Sequence, residues 1–362
     1  MGTVPAKPRR GRAPTHYQNY ILREDEHPPS GLLGLQTPYG EGVQAHPDEL
    51  LFIAIHQTFE LWFKVMVDEI LRKSDGVVAR IDAGAYAEAS RALRRLAKIT
   101  NVMREQYSIV ETISPTDFLV FRDVLRPSSG YDSAQFRALE LASGLRRDAS
   151  YLKHLCGAKA AAGADPGALS KMVGRAALEV EAGRGSKLAE YSVVKKLMTT
   201  GDARGLRLIE RALAAPSLRD AAYRAVQKAP AGPAPAAWLK ARAKEWSRAQ
   251  LQAAASGAPS DAALSPREAA QVLHHVASLY RAATARELRE PSARATLDLV
   301  EAMVEYDESF RNLRMIHINM VLRVIGARPG TGGSAGAPYL RTTLDYEFFP
   351  LLWRARDHIE GA

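Results

Sequence analysis

Cysteine is almost absent, Cys156 being the only one in the chain. A lone cysteine excludes an internal disulfide framework, a thiolate-rich zinc site and redox chemistry by a thiol pair, and leaves histidine, carboxylate or tyrosine as metal ligands. Long apolar runs are missing as well. None approaches the roughly 20 residues that cross a bilayer, and the N-terminal MGTVPAKPRRGRAPT lacks the apolar core of a signal peptide. The expectation is therefore a cytoplasmic chain with no membrane partner. Alternating runs of β-branched residues are scarce, which argues against a sheet, and there is no internal repeat of fixed period.

The chain does carry the composition of a folded protein, with 46% hydrophobic and 25% charged residues. Its 362 residues suffice for one large domain or two. The formal net charge of +9 is partly that of the Lys7-Pro8-Arg9-Arg10-Gly11-Arg12 tail. Elsewhere Arg and Lys alternate with Glu and Asp, so no nucleic-acid partner is expected and residues 1–14 read as a disordered basic leader.

Apolar residues recur at the helical period, and Ala, Leu, Arg and Glu dominate, so the fold class is all-α. The pattern predicts helices over 47–74, 84–109, 115–125, 133–155, 165–200, 204–214, 217–228, 236–255, 265–289 and 292–326. Residues 15–362 are expected to form one domain, with 147–204 a helical insertion that carries few large apolar side chains. The Pro- and Gly-dense stretch 228–237 reads as an extended connector.

Three stretches could carry chemistry. In LFIAIHQTFELWFK, residues 51–64, Phe52, Phe59 and Phe63 fall on the same helical face as His56. Such a histidine is either a core residue bonded to a carbonyl or to Glu60, or a group that meets a substrate or a metal. A carboxylate-bridged di-iron bundle needs two Glu-x-x-His motifs on helices; Glu24 to His27 is the sole such spacing and runs into Pro28-Pro29. In ISPTDFLVFRDVLRPSSGYDSAQFR, Ser114 is the N-cap of a short helix on which Arg122 is flanked by Phe118, Phe121 and Leu125. A guanidinium in that setting suits either a structural salt bridge or a clamp for a carboxylate. In FRNLRMIHINMVLRVIG, His317 shares an apolar stripe with Phe310, Leu313, Met320, Val321 and Val324. The GTGGSAG that follows, residues 330–336, is either a linker or a loop whose N–H groups approach an anion; it lacks the Gly-Lys-Ser/Thr ending of a nucleotide-binding loop. Two isolated histidines on apolar faces, without thiolates or carboxylate clusters, fit a haem pocket with one ligating and one open side.

LFIAIHQTFELWFK, SPTDFLVFRDVLRPSSGYDSAQFR and RVIGARPGTGGSAG resemble, in order and spacing, the motifs of the tryptophan 2,3-dioxygenase family, with weaker matches in HYQNYIL at 16–22 and ALAAPSLRD at 212–220. The resemblance implies an all-α haem enzyme (haem b, ferrous when active) that inserts both atoms of dioxygen across the indole C2–C3 bond of L-tryptophan to give N-formylkynurenine. It also implies a homotetramer in which the N-terminal segment reaches into a neighbour's site. By the same resemblance His317 would be the axial iron ligand and His56 the distal histidine that meets the indole N–H. Phe52 would pack the indole ring, Arg122 would clamp the carboxylate and Thr331 would contact the ammonium group. Tyr17, Tyr20, Phe118, Leu125, Ser129 and Gly130 would line the rest of the pocket.

The chain departs from the common pattern at Tyr131-Asp132, where Phe-Gln is usual, and at 312–316 before His317. Relatives that insert one oxygen atom into a tryptophan or tyrosine derivative supply the alternative expectation, a haem-dependent monooxygenase of secondary metabolism.

Overall fold

The computed structural model describes residues 32–38, 46–123, 125, 130–157, 165–183, 192–229, 234–256, 264–285, 288–331 and 335–359. Among the described residues there are helices and no strand, as the sequence pattern requires. The leader, Tyr17, Tyr20, Ser129 and residues 332–334 of the glycine loop lie outside them.

Local sequence sets where the first long helix begins. In α1 (Pro47–Leu71) the His46 ring nitrogen accepts the Asp48 N–H, Pro47 takes the first turn and Asp48 and Glu49 complement the helix dipole. It is followed by α2 (Val77–Asp82), α3 (Tyr86–Val110) and α4 (Pro115–Phe121), the last capped by Ser114 as expected.

The predicted helix 133–155 is instead α5 (Ala134–Ser143) and α6 (Ala149–Cys156). The break falls at Gly144, whose φ of 150° and lack of a side chain let it lie against Arg219 and the Phe348 carbonyl; a Cβ there would sit 2.7 Å from Arg219 Nε. Likewise 165–200 divides into α7 (Pro166–Glu181) and α8 (Val193–Thr199). Then come α9 (Ala203–Ala214), α10 (Leu218–Gln227), α11 (Ala236–Ser256), α12 (Pro266–Thr284) and α13 (Pro291–Ile325), which runs for 35 residues. Two short helices absent from the periodicity, α14 (Ala337–Thr342) and α15 (Pro350–Arg354), close the described chain.

The core is built around α3 and α13, whose Leu93, Leu96, Met103, Met303, Tyr306 and Phe310 are fully buried. Arg94 of α3 pairs with Asp298 and Glu305 of α13 along their edge. On α13, Asp307 accepts the Phe348 and Phe349 N–H groups and the Trp353 indole N–H, each at 3.0 Å, and so fixes the C-terminal segment. The stretch 147–204 is not peripheral to this core, since Leu169, Val173, Val193 and Leu197 are buried in the same cluster.

By length and composition α1 is apolar enough to cross a membrane, contrary to the expectation from its sequence, with a mean hydropathy of 1.4 over its most apolar window. It packs on α3, α4 and α5, and Ile55, Phe59, Phe63 and Met66 belong to the protein core. Only 22% of that window is buried, because Leu50, Leu61 and Val65 point outward and His56 lies on open surface.

Candidate active site

Helices α1 and α13 form two walls, with α3 and α4 packed on both. His56 projects from the first wall and His317 from the second, close enough that a charge on His56 disfavours a proton on His317.

His56 reaches solvent, yet the protein packed around its ring desolvates it and holds its pKa below the ordinary 6.5, against weaker upward pulls from the Phe52 carbonyl and Glu60. Its Nδ1–H donates to that carbonyl at 2.7 Å, one turn back on α1. A carbonyl accepts only from an N–H, so the proton of the neutral ring sits on Nδ1 and Nε2 keeps its lone pair. The carbonyl bond expected of a core histidine is therefore present, and it leaves the other nitrogen an acceptor. Phe52 lies 4.1 Å from the imidazole, centroid to centroid, and 5.4 Å from Phe118.

On the facing wall, burial and the proximity of His56 lower the pKa of His317 to about 4, so its ring is neutral at ordinary pH. It stacks on Tyr107 with 5.0 Å between centroids and 5° between planes. Neither ring nitrogen has a hydrogen-bond partner among the described residues. Tyr107 also meets Phe59 edge-on at 5.1 Å, so one tyrosine of α3 spaces the two walls. In the sequence Tyr107 reads as one more core aromatic, and its role comes only from the packing of three helices.

Arg122 closes α4 and is 7% exposed. One Nη donates to the Pro329 carbonyl, which ties α4 to the chain two residues before Thr331. Its Nε is buried with no hydrogen-bond partner among the described residues. A buried guanidinium with capacity left over is what binding a carboxylate requires.

The structure thus brings His56, Phe52, Phe118, Arg122 and His317 together, and places Thr331 next to the segment Arg122 holds. Leu125 is buried in the same cluster, and Gly130 opens a short 3-10 turn, Gly130–Asp132, and is exposed. Among the described residues the one set of three metal-type side chains is His46, Asp48 and Asp117, at the starts of α1 and α4. There the His46 ring is already engaged in capping α1. A separate surface cleft lined by Arg146, Asp220, Tyr223 and Arg224 shares no residue with the two-histidine site.

A family model described as tryptophan 2,3-dioxygenase matches residues 7–159 and 284–359 of the chain. A tryptophan 2,3-dioxygenase of Anaeromyxobacter sp. (strain K) is 33% identical over 342 residues, covering 94% of each chain. That of Caulobacter vibrioides is 32% identical and covers 94% of this chain and 97% of its own. That of a Nocardioides strain is 30% identical, with 90% of each chain covered.

Proposed function

The chain belongs to the tryptophan 2,3-dioxygenase family, and we propose that the cleft between α1 and α13 is where its reaction takes place. The protein is an oxygen-incorporating oxidoreductase that acts on tryptophan, and the one-oxygen alternative is not favoured. The reaction adds one dioxygen to L-tryptophan, breaks the indole C2–C3 bond and leaves both oxygen atoms in N-formylkynurenine, with no external reductant.

The observation that supports this placement is the pair of neutral histidines on facing walls, one with an acceptor nitrogen fixed and the other without a hydrogen-bond partner. The family requires haem, and the residues present fit it: an uncharged, unengaged imidazole at His317, with apolar and aromatic walls around it. When bound, ferrous haem b held by His317 would supply the oxygen chemistry.

The remaining work falls to side chains. Arg122 clamps the carboxylate of the amino acid, and its bond to Pro329 also holds the strand of chain that presents Thr331 to the ammonium group. Because those two contacts share one guanidinium, they set the zwitterion in a single orientation. Phe52 and Phe118, in contact with each other, line the indole side of the pocket. His56 Nε2 accepts the indole N–H, a bond possible only while that imidazole is neutral. We assign His56 to orientation of the ring rather than to removal of its proton.

Tyr17, Tyr20, Leu125, Ser129 and Gly130 complete the lining in this reading, the two tyrosines coming from a neighbouring subunit of a homotetramer. The outward apolar residues Leu50, Leu61 and Val65 of α1 favour such burial between subunits. Light scattering coupled to size exclusion should give four chains per particle. The reaction itself is tested with haem-loaded, reduced protein, L-tryptophan and labelled dioxygen. Two labelled atoms in an opened indole are expected; one label on an intact ring would transfer the site to the monooxygenase alternative.

A further inference from the structure

We infer that Lys196 of the inserted helix α8 is a positioning residue for the substrate pocket, acting through an ion pair with Asp132 on the turn that begins at Gly130. The inference rests on the reading of that pocket as the tryptophan site, and it gives the insertion a task. Residues 160–283 lie outside the stretches matched by the family model, and by the resemblance of the sequence motifs Asp132 stands where Gln is usual.

The Lys196 ammonium donates to Asp132 Oδ2, and both side chains are mostly buried, at 21% and 16% exposure. The other carboxylate oxygen, Oδ1, is buried without a hydrogen-bond partner among the described residues. Lys196 is therefore the hydrogen-bonded partner that favours a charge at Asp132, with Arg137 a weaker and more distant one, and without Lys196 the turn is driven to open toward water or take up a proton. An exposed pair of the same length would carry no such consequence.

The turn is connected to the site on its other side. Ser133 caps α5 by accepting the Phe136 N–H, and Gln135 donates to both the backbone carbonyl and the carboxylate of Glu60, each at 2.9 Å. Glu60 stands one turn beyond His56 on α1. A shift of the turn therefore moves Gly130 at one end and the support of α1 at the other.

The insertion in turn has a fixed footing. Gly205 of α9 lies so close to α5 that a Cβ there would stand 2.7 Å from the Ala134 Cβ, and Arg211 of the same helix donates to the Leu71 carbonyl at the end of α1. Helices α8 and α9 thus hold the turn from outside while α1 holds it from inside.

The test uses the full-length haem-loaded protein and K196M, which keeps the aliphatic stem and removes the charge. Hydrogen exchange of amides 130–136 should accelerate roughly 5-fold or more. The KM for L-tryptophan should rise roughly 3- to 10-fold with kcat within about twofold and the haem spectrum unchanged. K196R, which keeps the charge, should stay near wild type, and K196M/D132N, which removes both charges, should recover part of the loss. If K196M does not fold, D132N severs the same pair from the other side and carries the measurement.

Unchanged exchange in the variant overturns the inference, and so does faster exchange with an unchanged KM. A wild-type protein that cleaved no tryptophan would remove the functional reading separately. The exchange data would then be paired with the haem spectral shift on adding aromatic amino acids, and an unaltered shift in K196M would overturn the positioning role.

Discussion

Two places on α13, ten residues apart, hold a polar side chain in apolar surroundings and treat it in opposite ways. Asp307 is fully engaged: two backbone N–H groups and an indole N–H point at its carboxylate. His317 makes no hydrogen bond among the described residues, and the buried Arg122 Nε has no partner among them either. Burial of a polar group is costly unless it is bonded. A carboxylate whose bonds are all internal therefore marks architecture, whereas a neutral imidazole that makes no bond keeps a nitrogen for a ligand.

The contrast can be broken most sharply at His317. His317→Ala should abolish normal haem ligation, read as loss of the wild-type absorption spectrum of the reduced protein, while the secondary structure by circular dichroism stays intact. An unchanged ferrous spectrum would end its assignment as the ligand.

At the other pole, Asp307→Ala strands three buried donors at about 1–3 kcal/mol each, so stability should fall by about 3 kcal/mol or more. Denaturant titration measures this, and the fraction that remains folded should bind tryptophan normally. A comparable loss of affinity would mean that the two regions are not separable.

Arg122→Ala should do the reverse. It leaves a substrate carboxylate unpaired in a dry site, which costs roughly 2–5 kcal/mol, or about 30-fold and upward in kcat/KM, with little change in melting temperature. Steady-state kinetics that left both KM and kcat untouched would reduce Arg122 to a tie between α4 and Pro329.

The smallest effect is in pH. The folded pKa of His56 lies below its ordinary 6.5, so the ring is neutral at pH 7 and accepts the indole N–H. Binding should weaken only as pH falls below 6.5 and through that lowered value, when Nε2 gains a proton and becomes a donor. Over the same window the unfolded chain takes up a proton that the folded one refuses, so stability also declines as pH falls. An acid limb in 1/KM at 6.5 or above would contradict a desolvated, neutral His56.

Much of the cleft was legible because its walls are long helices with local signals. The expected 47–74 and 292–326 correspond to Pro47–Leu71 and Pro291–Ile325, since Pro at the first turn and Gly326 at the end are recognisable without knowing any neighbour. The aromatic face around His56 and the cap at Ser114 were readable for the same reason. The break at Gly144 was not, because its cause is Arg219, which arrives from 75 residues further along the chain. Periodicity describes a helix's face but not what will press against it.

The sequence by itself determined the all-α class, the family, the two histidine-bearing helices and the arginine between phenylalanines, since each depends on spacings within a single helix or on a contiguous motif. Only the tertiary structure decided that Tyr107 spaces the two walls and that Arg122 holds the chain before Thr331. It also decided that the helix Val193–Thr199 reaches back to Asp132 through Lys196. Those are contacts between residues distant in sequence, fixed by packing and by the cost of leaving a buried charge unpaired, and no local pattern encodes them.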